Sequence, residues 1–264
     1  MDQRPRIFDS AARAARLARA RQIGGDRFLA EAAREAIADR LAAVTRKFSA
    51  RLDVVFDSDE VLHAAPQSAD LAVSVLDLHA VNDLPGALVQ IRRALKPDGL
   101  FLGALFGGQT LTELRAALAA AEIETSGGVS PRVFPFADVR DMGGLLQRAG
   151  FALPVADVER LTVFYSGLDA LLADLRVHGE TNILSERRRT PLSRAARRAV
   201  EAHYRANHAD VRGKLRATFE IIYLTGWAPH ESQQQPLRPG SAKARLAEAL
   251  GVTEFSAGEK APKI

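Results

Sequence analysis

The spacing of apolar positions changes period several times along this chain. Residues 10–22 and 26–44 carry helical spacing, interrupted at Gly24-Gly25. In the second stretch Phe28, Ala32, Ala36 and Ala43 mark a weak apolar stripe, reinforced by Leu29, Ile37, Leu41 and Val44. Two short apolar runs follow, Leu52–Phe56 and Asp70–Leu76. The second is almost continuously apolar, which suits a strand buried on both faces. Helical spacing returns after Asp83, a side chain suited to an N-cap, with Pro85 in the first turn and Leu84, Leu88, Ile91 and Leu95 on one face. Lys96-Pro97-Asp98-Gly99 ends that helix, and a strand at Leu100–Phe106 follows.

Strand, helix, turn and strand form a βαβ unit, which demands parallel pairing. The predicted class is therefore α/β, with an open, mostly parallel sheet. Thr110-Leu111-Thr112-Glu113 has the spacing of a capping box and opens a helix to about Glu122. Asp138 caps another helix, with Val139, Met142, Leu146 and Ala149 on its face and Gly150 as its stop. Strands are predicted at Asp157–Phe164 and Ala217–Leu224, with an arginine-rich helical insertion at about residues 168–209 between them. The organisation is a helical segment (1–48), a sheet domain carrying the insertion (49–228) and a polar tail (229–264) with an amphipathic stretch at Ala242–Leu250.

Composition narrows the chemistry. The chain has 264 residues, 47% of them hydrophobic, and no cysteine. A disulfide framework, thiolate-ligated metal and a thiol nucleophile are excluded. No run approaches the roughly 18 apolar residues of a membrane span. The formal net charge is only +4, and its excess is arginine dispersed among alanines, as on a solvated surface. Only Tyr204 lies near the arginines of the insertion, so a stacking platform for nucleic acid is not expected. The Arg/Ala-rich start contains Asp2 and Asp9, which argues against a transit peptide, and the expected location is cytoplasmic. The histidines, His63, His79, His178, His203, His208 and His230, include no i, i+4 pair, so no metal site is expected.

The block SADLAVSVLDLHAVNDLPGALVQIRRALKPDGLFLGALFGG resembles the second half of a class I S-adenosylmethionine-dependent methyltransferase. PRIFD near the start, GGQTLTELR at 107–115, GGVSPRVFPF at 127–136, GWAPHESQ from Gly226 and RPGSA from Arg238 narrow the resemblance to one branch. That branch includes a mitochondrial arginine hydroxylase that assembles respiratory complex I. It is similar, more distantly, to the malonyl-carrier-protein methyltransferases of biotin synthesis. The resemblance implies a methyltransferase-like sheet with S-adenosylmethionine at the carboxyl ends of its first strands.

The departure from that family is equally specific. Between Asp26 and Asp98 the only glycine is Gly86, which falls within a predicted helix. The glycine-rich turn that lets backbone approach the cofactor, and the acid-ending strand after it, are missing. About thirty residues would restore that unit. By alignment with the family, the remaining cofactor-side candidates are Asp59, Glu60, Leu76 and His79. His79 is either a pocket wall or general base, or a hydrogen-bonded core histidine. Asp57, Asp59 and Glu60 are either a ligand-holding cluster or a solvated loop. Trp227, His230, Glu231, Ser232, Gln233 and Arg238 are the candidates for contact with a substrate or partner, against a role in stitching the tail to the sheet.

The expectation is a methyltransferase-family protein with a truncated S-adenosylmethionine site, acting without catalysis as an assembly or binding protein, with a respiratory-chain subunit as partner. The alternative is an active S-adenosylmethionine-dependent methyltransferase or hydroxylase acting on a protein side chain. Loss of strands from one sheet edge also predicts a homodimer across that edge, or its covering by the N-terminal helices.

Overall fold

The structure is a computed structural model, described here over residues 6–234. By internal contacts the chain divides after His230. The fold below belongs to the first unit; of the second, residues 231–234 are described, and they form a turn.

Two helices come first, α1 (Ser10–Ile23) and α2 (Phe28–Ala42). The Asp9 side chain accepts from the Ala12 N–H to cap α1, and Gly24, at φ +67°, ends it. Strand β1 (Arg51–Asp53) runs into a helix-free loop that returns to β2 (Ala69–Val75). A 3-10 turn at Leu78–Ala80 leads to α3 (Leu84–Ala94), β3 (Leu95–Phe106), α4 (Thr112–Ser126) and α5 (Val139–Arg148). The chain continues through β4 (Ala152–Tyr165), α6 (Leu168–His178), α7 (Arg194–His208) and β5 (Leu215–Trp227).

The sheet order is β1-β2-β3-β5-β4. β1, β2 and β3 are parallel, and β5 lies antiparallel between β3 and β4. Four of the five strands therefore point the same way, which is the α/β architecture expected. Alternate side chains on β3 and β5 face two separate cores. Leu100, Leu102, Phe219 and Ile221 meet helices α2, α4, α6 and α7 on one face. Phe101, Leu105, Ile222 and Leu224 meet α3 and α5 on the other.

The N-terminal helices belong to this packing. Leu29, Ala33 and Ile37 of α2 are buried against Leu71, Val73 and Leu100. Arg40 lies over the Tyr223 ring and pairs with Asp157 and Glu159, fastening the end of α2 to β4 and β5. The β1 edge is three residues long, and its exposed Arg51 and Asp53 pair with each other. A short charged edge resists strand addition. The exposed apolar side chains of the sheet lie instead on β4, at Leu153, Val155, Val158 and Phe164.

Two sequence expectations are corrected. The stretch at 168–209 is two helices separated by a non-helical segment, because Gly179 takes φ +78° after α6 and helix resumes only at the Ser193 cap. Thr110 and Glu113 do not form a capping box: α4 starts after Leu111, at φ +54°, without a side-chain cap. The Thr110 hydroxyl donates to the Glu220 carbonyl and accepts from its N–H. The buried Glu113 carboxylate accepts from the Thr218 N–H and hydroxyl. Both residues anchor the start of α4 to β5, and tertiary partners displace the local cap.

Candidate functional site

In an open α/β sheet, ligands bind beyond the carboxyl ends of the strands. Here β2 ends at Val75, and Leu76 turns the chain with φ +50° while donating its N–H to the Ala104 carbonyl. That turn delivers His79 into the interior, where its side chain is fully buried. His79 stacks on Phe134 at 6.2 Å between centroids, with Phe106 at 4.8 Å and Phe136 at 6.0 Å.

The His79 Nε2 lies 3.1 Å from the Glu180 carboxylate. The Arg13 guanidinium donates to both oxygens of the same carboxylate, each at 3.1 Å. It also donates to the Leu76 carbonyl and to Asp77. Burial alone would raise the Glu180 carboxyl, but Arg13 and His79 overcome it and hold the group at about 2. With Glu180 ionised, Nε2 of a neutral His79 carries the proton and Nδ1 is the lone-pair nitrogen. That Nδ1 is buried and has no hydrogen-bond partner among the described residues.

Segment 127–136 forms the other wall. Its anchor is Glu122, buried on α4, which accepts from the Ser130 N–H and hydroxyl and from Arg132. Phe8 packs edge-on against Phe134 at 5.7 Å, and Asp9 pairs with Arg187. Phe8 and Asp9 and the GGVSPRVFPF segment thus meet beside His79. Next to them is a cavity of about 580 Å³, reaching Glu180, Phe134 and Phe136 and bounded by α1, α4, α6 and the segment after α6.

The other predicted residues lie elsewhere. Asp59 is exposed on the β1–β2 loop, where its N–H donates to Asp57. The Glu60 carboxylate accepts from the Asn82 N–H and side-chain amide and from the Asp83 N–H, at 2.7–2.9 Å. It holds the entry to α3, and its own carbonyl accepts from Gln90. Neither acid lines the cavity. After β1, residues 54–68 contain no glycine, and Val54 buries its side chain in the second core. A backbone cradle of the family type has no counterpart there.

Trp227 pairs with Leu100 at the start of β3, whereas Phe106 at its far end faces Ile221. Six residues of strand separate those ends, roughly 20 Å. Trp227 therefore sits at the opposite end of the sheet from His79, packed near Phe48. His230, Glu231 and Ser232 are exposed and Gln233 is half-buried. Arg238 and the Ala242–Leu250 stretch lie outside the described residues. Sequence reasoning missed Arg13, Glu122 and Glu180; the PRIFD and SPRVFPF motifs were the signal pointing towards this region.

A family profile described as a methyltransferase domain matches residues 14–103. The chain is 45% identical over 194 residues to the arginine-hydroxylase NDUFAF5, mitochondrial, of Homo sapiens, covering 74% of this chain and 56% of that protein. It is 44% identical over 199 residues to the protein of the same name from Dictyostelium discoideum, covering 75% and 45%. It is 38% identical over 179 residues to a malonyl-[acyl-carrier protein] O-methyltransferase of Xylella fastidiosa, covering 67% and 58%. The chain thus spans about half the length of these curated relatives. A crystal structure from Bacillus halodurans described as a methyltransferase superposes with a TM-score of 0.46 at 11% identity, covering 74% of this chain and 99% of that one. Over the stretches matched, the chain is similar to the mitochondrial arginine-hydroxylases and the malonyl-[acyl-carrier protein] O-methyltransferases, and its residues 14–103 match the methyltransferase domain.

Proposed function

We propose that this chain is a non-catalytic binding protein built on a methyltransferase-type sheet, acting as an assembly factor for a protein partner. The observation that carries the reading is the connection from β1 to β2. Parallel neighbours are ordinarily joined through a crossover helix. Here 15 residues, 54–68, make the connection without a helix or a glycine, crossed only by a bridge between Phe56 and Leu62. Glu60, one of the two acids that the family resemblance puts on the cofactor side, already commits its carboxylate to three donors at the start of α3. Reaching a ribose would leave those donors unsatisfied.

The relatives at 44–45% identity are mitochondrial arginine hydroxylases. The resemblance of this branch to a complex I assembly factor makes a respiratory-chain subunit the partner class. Among the described residues no helix is long and apolar enough to cross a membrane. The second reading, an active S-adenosylmethionine-dependent methyltransferase or hydroxylase acting on a protein side chain, is favoured by the methyltransferase-domain match and by a buried histidine with a free ring nitrogen.

Calorimetric titration of the folded protein with S-adenosylmethionine and S-adenosylhomocysteine separates the two. No heat up to about millimolar ligand supports the non-catalytic reading. Saturable binding near one site per chain overturns it and establishes the second.

A further inference from the structure

We propose that the cavity beside His79 binds a small molecule with a carboxylate or phosphate head and an apolar body. This goes beyond the reading above and does not depend on it, since the cavity is complete without the missing strands.

The charge balance of the walls is the first argument. Seven arginines line the cavity, against a single carboxylate, Glu180. Both oxygens of that carboxylate are already engaged by Arg13, and one also by His79. Arg132 is neutralised by Glu122 and Arg187 by Asp9. Arg16, Arg19, Arg176 and Arg189 have no ion pair or side-chain hydrogen bond among the described residues, and Arg188 reaches only the Thr190 hydroxyl. Like charges held around one cavity repel, and an anion between them removes that cost. The Arg16 Nε is in addition a buried donor without an acceptor. Such a donor carries an unrelieved desolvation penalty until an acceptor reaches it.

The floor supplies the second argument. Phe106, Phe134, Phe136 and Phe219 line the cavity, together with Leu114 and Leu118 of α4. An inorganic anion would leave this surface dry and unfilled. A volume of about 580 Å³ suits a molecule with an apolar body of drug-like size. The guanidinium fork matches carboxylate and phosphate equally, so the head is fixed as an anion and the body as apolar. A cationic side chain entering the same cavity would meet several unpaired arginines and no available carboxylate.

Calorimetric titrations with decanoate, decyl phosphate, decyltrimethylammonium and inorganic phosphate test the proposal on the full chain. Saturable one-to-one binding of decanoate or decyl phosphate is expected, weakening as salt rises, and the tighter of the two identifies the head. Arg176→Glu and, separately, Arg19→Glu should weaken it roughly tenfold or more while leaving the urea midpoint unchanged, since neither side chain has a partner to lose. Decyltrimethylammonium binding as tightly as decanoate would overturn the anionic head. Inorganic phosphate binding as tightly as decyl phosphate would overturn the apolar body. Absence of binding by either decyl anion, or retention of full affinity in both variants, would overturn the site.

Discussion

His79 and Glu180 stand 101 residues apart in sequence and 3.1 Å apart in space, with the histidine side chain fully buried. The carboxylate between His79 and Arg13 is what makes this interior tolerable. A buried guanidinium needs a counter-charge, and Glu180 supplies it while also orienting the imidazole.

Replacing Glu180 by Gln should therefore lower stability by about 3–5 kcal/mol, because Arg13 is left largely uncompensated in the interior. Asp77→Asn should cost less than about 1 kcal/mol, because Asp77 is 31% exposed and lies farther from Arg13, at 3.4 Å. Urea denaturation of the two variants checks the difference, and equal costs would contradict it.

Acid should destabilise the fold through identifiable groups. Glu180 is held at about 2 against an ordinary 4.5. Burial opposes ionisation of Asp70 as well, but the N–H groups of Ser49 and Ala50 bring it from 3.8 to about 2. Both pKa values are depressed by folding, so the stabilisation is present above the unfolded values. It is lost as pH falls from about 4.5 through about 2. Urea midpoints measured down that range should fall for the wild type and fall less steeply for Glu180→Gln and Asp70→Asn.

The N-terminal helices are part of the core. Leu29 is 0% exposed beneath α2, and Leu29→Ala should cost about 2–5 kcal/mol. A loss below about 1 kcal/mol in thermal or urea unfolding would mean that α2 is only loosely docked.

Gly226 of the GWAPHESQ segment has a packing role. A Cβ there would sit 2.9 Å from Phe151 Cδ1 and 3.1 Å from Phe151 Cβ. Phe151 is buried in the second core, so Gly226→Ala should destabilise by about 1–3 kcal/mol without altering decanoate binding. Parallel unfolding and calorimetric measurements check both halves of that statement.

Association is expected to avoid the β1 edge, which is short and carries the Arg51–Asp53 pair. Sedimentation velocity should find a monomer at micromolar concentration. A dimer removed by Val155→Lys would place the contact on β4, where Val155 is 53% exposed.

Local signals were readable wherever local chemistry decides. Asp83 and Asp138 each cap the helix that follows, as their positions predicted, because an N-cap oxygen needs only donors two or three residues ahead. The near-continuous apolar run of β2 declared a strand covered on both faces, and no glycine stands between Asp26 and Gly86. Thr110 and Glu113 show where that reasoning stops: their spacing fits a cap, yet residues more than 100 positions away take their hydrogen bonds. The candidate site behaves the same way. His79 was visible at a strand end, but Arg13 looked like one arginine among many in a basic helix, and Glu180 followed an unremarked glycine. Only the packing of α1 against α6 brings these two charges together, out of water. There the Coulomb interaction is strong enough to set the state of a carboxyl group, and no pattern along the chain encodes that proximity.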